Sequence, residues 1–151
     1  MDQKNVVENV PIREGLLSVP LDPLEKVQLL GSKCRACGEV AFGVASSCQN
    51  CAGSDMEVIP LSKKGTLWTY TVIRNRPPGD YKGPDPFVPF AEGLVELPEG
   101  IRVLSPLGGN VEKLKIRMNL TLKIYKLYKN KEGQNVIAFR FDPIQEDGTN
   151  V

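Results

Sequence analysis

Histidine is absent from the 151 residues. A Ser-His or Cys-His pair therefore cannot be assembled from this chain alone, and neither can a zinc site with an imidazole ligand. Long apolar runs are missing as well, since none approaches the ~18–20 residues that a bilayer-spanning helix needs. An excess of one charge is also lacking: 19 Lys and Arg face 18 Asp and Glu, for a net charge of +1. That balance argues against a whole-molecule electrostatic hold on nucleic acid or an anionic membrane. Residues 1–5 show no basic stretch leading into an apolar one, so no secretory leader is read there and the expected location is the cytoplasm.

Four cysteines, 14 glycines and 12 prolines are present. In a reducing compartment cysteines point to metal or redox chemistry before disulfides. The abundance of Gly and Pro favours short strands and turns over long helices. Roughly 100–200 residues make one domain, so one core with a small satellite is expected.

Residues 1–25 form an arm broken by Pro11, Pro20 and Pro23, in which residues 6–10 read as a possible helix start. Its apolar residues Ile12, Leu16, Leu17, Val19 and Leu21 either dock on a partner or cover the chain's own core. Residues 26–62 read as a small unit with short strands over 26–33, 39–44 and 56–59. Residues 63–145 read as the main β unit. Its first strand, 65–73, is rich in β-branched and aromatic residues. Strands 90–97 and 101–104 are joined by the turn tripeptide Pro98-Glu99-Gly100. Leu114, Ile116, Met118, Leu120, Leu122 and Ile124 then alternate with polar residues, the period of a half-buried strand. Beyond Ile124 the phase changes at Tyr125 and Leu127, which predicts a bulge or bend. A turn at 129–133 leads to a last strand at 135–141, and residues 146–151 read as a flexible tail. Five strands of uneven length fit an OB-type barrel, while an SH3-like barrel or a sandwich has the same count.

The cysteines are spaced C-x2-C, ten residues, C-x2-C, as Cys34, Cys37, Cys48 and Cys51. Two residues between thiols let both sulfurs of a tight turn face one ion, and four thiolates complete a tetrahedral Zn²⁺ site. Gly38 provides the permissive backbone after the first pair, whereas Ala52 and then Gly53 follow the second. The expected cofactor is structural zinc. Iron in a rubredoxin-type site would use the same ligands. A closed set of four leaves no position for water, so Lewis-acid catalysis is not expected.

The four-cysteine ribbon is followed by residues 65–73 and a Pro-rich loop, then by Pro89-Phe90, Glu92-Gly93-Leu94-Val95-Glu96-Leu97 and Ala138-Phe139-Arg140-Phe141-Asp142-Pro143. In that order the chain resembles the rubredoxin-like zinc-ribbon plus OB-fold proteins that accompany thiolases and acyl-CoA hydratases. The resemblance covers about residues 27–143. It implies an all-β fold with a four-cysteine zinc ribbon before a five-stranded OB-type barrel, here preceded by the Pro-interrupted N-terminal arm. It also implies a non-catalytic accessory subunit in a hetero-oligomer with a thiolase-superfamily large subunit. That partner would supply the catalytic Cys and His, and acyl-CoA or CoA would lie at or near the interface. Two departures stand out. Pro20 and Pro23 occupy a region that is helical in many relatives, and Ala45-Ser46-Ser47 stands where many have a Pro-Arg pair.

The loop 75–89 carries five prolines, with Arg74 and Arg76 at its start and Tyr81 and Phe87 within it. Loops of such length are usually functional or disordered. The arginines are candidates for CoA phosphates, and the aromatics for a partner or a pantetheine arm. Lys113, Lys115, Arg117, Lys123, Lys126, Lys129 and Lys131, with Tyr125 and Tyr128, form a basic stretch. Its plainest reading is a solvated face. The second reading is attraction of CoA or an acidic partner, and the third is a single-stranded nucleic-acid surface. Trp68, Tyr70, Phe139 and Phe141 read as core. A nucleic-acid-binding ribbon/OB module and a hydratase-complex subunit are the alternative functions.

Overall fold

The computed structural model describes residues 7–144. Nine strands organise them: β1 (Asn9–Pro11), β2 (Leu30–Cys34), β3 (Val40–Phe42), β4 (Met56–Pro60), β5 (Lys64–Ile73), β6 (Phe90–Glu96), β7 (Arg102–Leu107), β8 (Asn119–Lys129) and β9 (Asn135–Pro143). Two short 3-10 turns, Leu24–Lys26 and Val111–Lys113, are the only helical segments among the described residues. No described helix is long and apolar enough to cross a membrane.

Strands β5 to β9 close a barrel. They run β9-β7-β6-β5-β8, and β8 pairs back onto β9. β7 and β9 are parallel, joined at Leu107 and Phe141, while the other barrel pairings are antiparallel. This is the five-stranded Greek-key order of an OB barrel. The inward face follows from period two: Ala91, Val95, Val103, Leu107, Leu120, Ile124, Phe139 and Phe141 are buried. Gly93 lies on the same face, where an added Cβ would fall 2.7 Å from the Thr69 carbonyl oxygen and 2.9 Å from Leu67 and Leu107. Only glycine lets β6 approach so closely.

The ribbon sheet has the order β3-β2-β4. Its root joins the barrel core, because Leu29 and Leu61 are fully buried in the same cluster as Leu67, Ile137 and Phe141. Phe42 and Phe139 meet edge to face with centroids 6.0 Å apart. Ser32 is fully buried. Its hydroxyl donates to Gly43 O at 2.7 Å and accepts from Ala45 N–H at 2.8 Å, which satisfies the turn after β3.

Several expectations need correction. The segment read as a possible helix start runs into β1, which pairs in parallel with β9 along residues 135–137; Val6 itself lies outside the described residues. Leu17 and Leu21 are buried in the core, and Ile12 N–H donates to Ile137 O at 2.8 Å. Residues 9–12 thus lie on the chain's own barrel and residues 15–18 on the root of the ribbon, while Ile12 and Val19 stay exposed. β8 starts at Asn119, not at residue 114. The preceding residues form a turn whose backbone binds β5: Arg117 N–H donates to Leu67 O at 2.7 Å, and Leu67 N–H donates to Met118 O at 3.0 Å. Leu114 still reaches the core, whereas Ile116 is 51% exposed. The apolar alternation there belongs to a loop that sends Leu114 inward and leaves Ile116 outside, not to a strand.

Trp68 is also no core residue, being 40% exposed. Leu67 pairs with Val95 and Thr69 with Leu94, so Trp68 is the extra residue of a β-bulge. A second bulge falls at Leu127, between Lys126 opposite Ile137 and Tyr128 opposite Val136. That is the phase change visible in the sequence. The expected tail, 146–151, lies outside the described residues.

Candidate metal centre

Two tight turns bring the four cysteines together. After β2, Gly38 N–H donates to Cys34 O at 2.8 Å, with Gly38 at φ 81°. In the second turn Ala52 N–H donates to Cys48 O at 2.9 Å, and Ala52 sits at φ 62°. Ala52 thus occupies the left-handed position that Gly38 fills in the first turn. Gly53 follows because a Cβ there would lie 3.3 Å from Cys51 Sγ. Arg35 fastens the first turn to the end of the ribbon. Its N–H donates to Asp55 O at 2.9 Å and its guanidinium meets the Asp55 carboxylate at 2.8 Å.

All four Sγ atoms lie within 4.8 Å of one another. Cys34 and Cys51 are 3.6 Å apart, and Cys37 and Cys48 are 3.5 Å apart. Disulfide sulfurs would be ~2.05 Å apart. Sulfurs around a tetrahedral ion with ~2.3 Å bonds sit roughly 3.8 Å apart. The spacing therefore fits a shared ion and not two disulfides. Cys34 and Cys48 are buried while Cys37 and Cys51 face outward.

Local donors prepare the sulfurs unequally. The Glu39 backbone N–H, then the Asn50 amide, holds the Cys37 thiol down to about 6. Asn50 Nδ2 lies 3.6 Å from that sulfur. At Cys51 the Gly53 N–H lowers the value, but the thiols of Cys34 and Cys37 outweigh it and push it up to about 11. Crowded thiols cannot all ionise without a cation, and a bound metal is what releases the remaining protons. The donor set is all sulfur, which suits a soft tetrahedral ion.

The loop candidates divide. Arg76, Tyr81 and Phe87 gather into one cluster, with the Arg76 guanidinium 5.7 Å from the Tyr81 ring centre and the Tyr81 and Phe87 rings 5.7 Å apart. Arg74 turns away to Glu112 at 3.4 Å. Sequence reasoning missed Phe90, which stacks on Tyr81 at 6.0 Å and meets Phe87 at 6.1 Å. The usable signal was its place as the first outward residue of β6. On β8 both tyrosines carry a cation from within the chain. Lys82 Nζ is 5.1 Å from the Tyr128 ring centre, and the Arg140 guanidinium is 4.9 Å from that of Tyr125.

Comparison with known proteins agrees with this architecture. A family model described as the ChsH2 C-terminal OB-fold domain matches residues 58–124. The benzoylsuccinyl-CoA thiolase subunit BbsA of Thauera aromatica is 27% identical over 136 residues, 85% of each chain. Its namesake in Geobacter metallireducens is 27% identical over 147 residues, 94% of each chain. A DUF35 domain-containing scaffold protein of Pyrococcus furiosus is 32% identical over 123 residues, covering 80% of this chain and 86% of its own length. A solved structure titled Ltp2-ChsH2(DUF35) aldolase superposes with a TM-score of 0.61 over 77% of this chain and 84% of its own, at 24% identity, a likeness of fold. With the closed barrel, the four-cysteine cluster and this extended identity in agreement, the chain belongs to the family of DUF35 domain-containing proteins.

Proposed function

We propose that the chain is the non-catalytic accessory subunit of a thiolase-type acyltransferase complex. The complex would cleave or form a 3-oxoacyl-CoA using CoA, and benzoylsuccinyl-CoA is the substrate named in two relatives. The observation that carries this reading is similarity to the BbsA subunits over 85% and 94% of the chain. The absence of histidine supports it, because the chain has no general base of the kind a thiolase needs. The catalytic Cys and His are assigned to the partner chain, and the assembly to the cytoplasm.

Within that reading residues 26–62 are the ribbon and 63–145 the barrel. Cys34, Cys37, Cys48 and Cys51 hold the metal, which we take to be zinc. Bound there, zinc supplies cross-linking and charge neutralisation with no open position for substrate. Arg76, Tyr81 and Phe87, joined by Phe90, are the chain's candidate wall for CoA. Arg76, at 3.9 Å from the Asp85 carboxylate, would exchange that loose pair for a phosphate, and the rings offer a packing surface. Arg74 is a more distant contributor, already paired with Glu112.

Coexpression with the thiolase-type large subunit of the same organism tests the reading. The expected result is a stable hetero-oligomer with CoA-dependent cleavage of benzoylsuccinyl-CoA that neither chain shows alone. Cleavage by this chain alone at the rate of the complex would overturn the accessory role.

A further inference from the structure

The outer face of β5, β6 and β7 forms a small grid. Register places Thr71, Glu92 and Pro106 in one row and Thr69, Leu94 and Leu104 in the next. Glu96 and Arg102 share a third row with Thr66. Leu104 is 63% exposed and Trp68 40% exposed. Trp68 reaches this face through the bulge that lets two residues of β5 oppose one of β6. Arg117, a non-glycine residue at φ 73°, holds the turn that binds Leu67 beside that bulge. Two local irregularities thus converge on displaying one tryptophan.

The charges on this face decide what it fits. Arg102 lies over the Trp68 ring at 3.6 Å and pairs with Glu96 at 3.2 Å, so its charge is spent within the face. Glu92 remains as a carboxylate with no ion pair among the described residues. The lysines of the basic stretch stand on β8 and the segments flanking it. A polyanion such as nucleic acid or CoA would meet a net negative grid here. A folded protein surface with an apolar patch and one basic side chain complements it. Aromatic and arginine side chains with little net charge are enriched at interface centres, and Leu94 and Leu104 extend the apolar area beside Trp68 and Arg102.

We infer that the β5–β6–β7 face, centred on Trp68, Leu94 and Leu104, is the docking surface for the catalytic partner subunit. The partner offers an apolar patch with a cation opposite Glu92. This rests on the accessory-subunit reading and adds to it which face of the barrel is covered. Trp68 and Leu104 lie outside the core, so Trp68→Ser and Leu104→Glu keep the fold, checked by circular dichroism and metal content.

Binding of each variant to the purified thiolase-type large subunit of the same organism is then measured by calorimetry. Wild type binds, the two variants bind about tenfold more weakly or worse, and Glu92→Lys weakens binding most at low salt. Wild-type binding with unchanged affinity of Trp68→Ser and Leu104→Glu would overturn the assigned face and leave the accessory role standing. Absence of wild-type binding would overturn both. If the chain alone dimerises and Leu104→Glu makes it monomeric without touching the large subunit's affinity, the face belongs to a second copy and the inference falls. Retention of a single-stranded oligonucleotide that Trp68→Ser abolishes would also overturn it.

Discussion

Ala52 carries a backbone cost that its counterpart Gly38 does not. At φ 62° its Cβ crowds the following carbonyl, whereas a glycine at the same place pays only in unfolded-state freedom. Ala52→Gly is expected to stabilise the metal-loaded protein by about 0.5–1 kcal/mol, and Ala52→Val to destabilise it, both read by denaturant unfolding. The contrast is visible in the sequence itself, because the two C-x2-C pairs are otherwise alike and glycine follows only the first directly. The thiols were legible for the same reason: their spacing encodes the turns that bring the sulfurs within 4.8 Å. Ser32 was not legible. A serine inside a short strand carries no sign that its hydroxyl will accept from Ala45 and donate to Gly43.

The hairpin of β6 and β7 does more than reverse the chain. At its tip Glu99 Oε2 accepts from the Ser62 N–H at 3.1 Å and from the Ser62 hydroxyl at 2.7 Å. Ser62 lies in the short link between β4 and β5, so one carboxylate clasps the joint between ribbon and barrel. Its second oxygen, Oε1, is buried without a hydrogen-bond partner among the described residues. Glu99→Ala is expected to cost about 1–3 kcal/mol, since the Ser62 donors lose their acceptor. Faster amide exchange at Ser62, with barrel strands unchanged, is the measurement that checks it. The hairpin itself was readable from Pro98-Glu99-Gly100, and the bulge at Leu127 from the broken alternation. The bulge at Trp68 was not, because an inserted aromatic in a run of β-formers looks like one more strand residue. The false strand at 114–118 has a related cause. Apolar alternation suggests a strand, but here Leu114 is buried and Ile116 exposed, because the segment is a turn that hydrogen-bonds Leu67.

Ribbon and barrel share a core at Leu29 and Leu61 yet depend on different stabilisers. The cluster of buried core residues includes none of the residues between Cys34 and Cys51, so an ion on the four cysteines would be what holds those turns, while the barrel has its own packed interior. Removal of metal by a chelator is expected to loosen residues 34–55 and leave the β5–β9 signature in place, seen as selective loss of amide dispersion in NMR spectra. A single cooperative loss of all β structure would contradict that division. The fold class was legible because strand number, turn residues and cysteine spacing agree. The path of the arm was not, since β1 is short and its partner strand lies at the far end of the sequence. That pairing sets an order for synthesis. Asn135 Nδ2 donates to Asn9 Oδ1 across 126 positions, and among the described strands β1 pairs with β9 alone. During translation β1 therefore waits unpaired until nearly the last strand emerges, whereas Leu17 can meet Leu29 as soon as the ribbon forms. A nascent chain can complete its ribbon once metal is available, but the barrel can close only at the end.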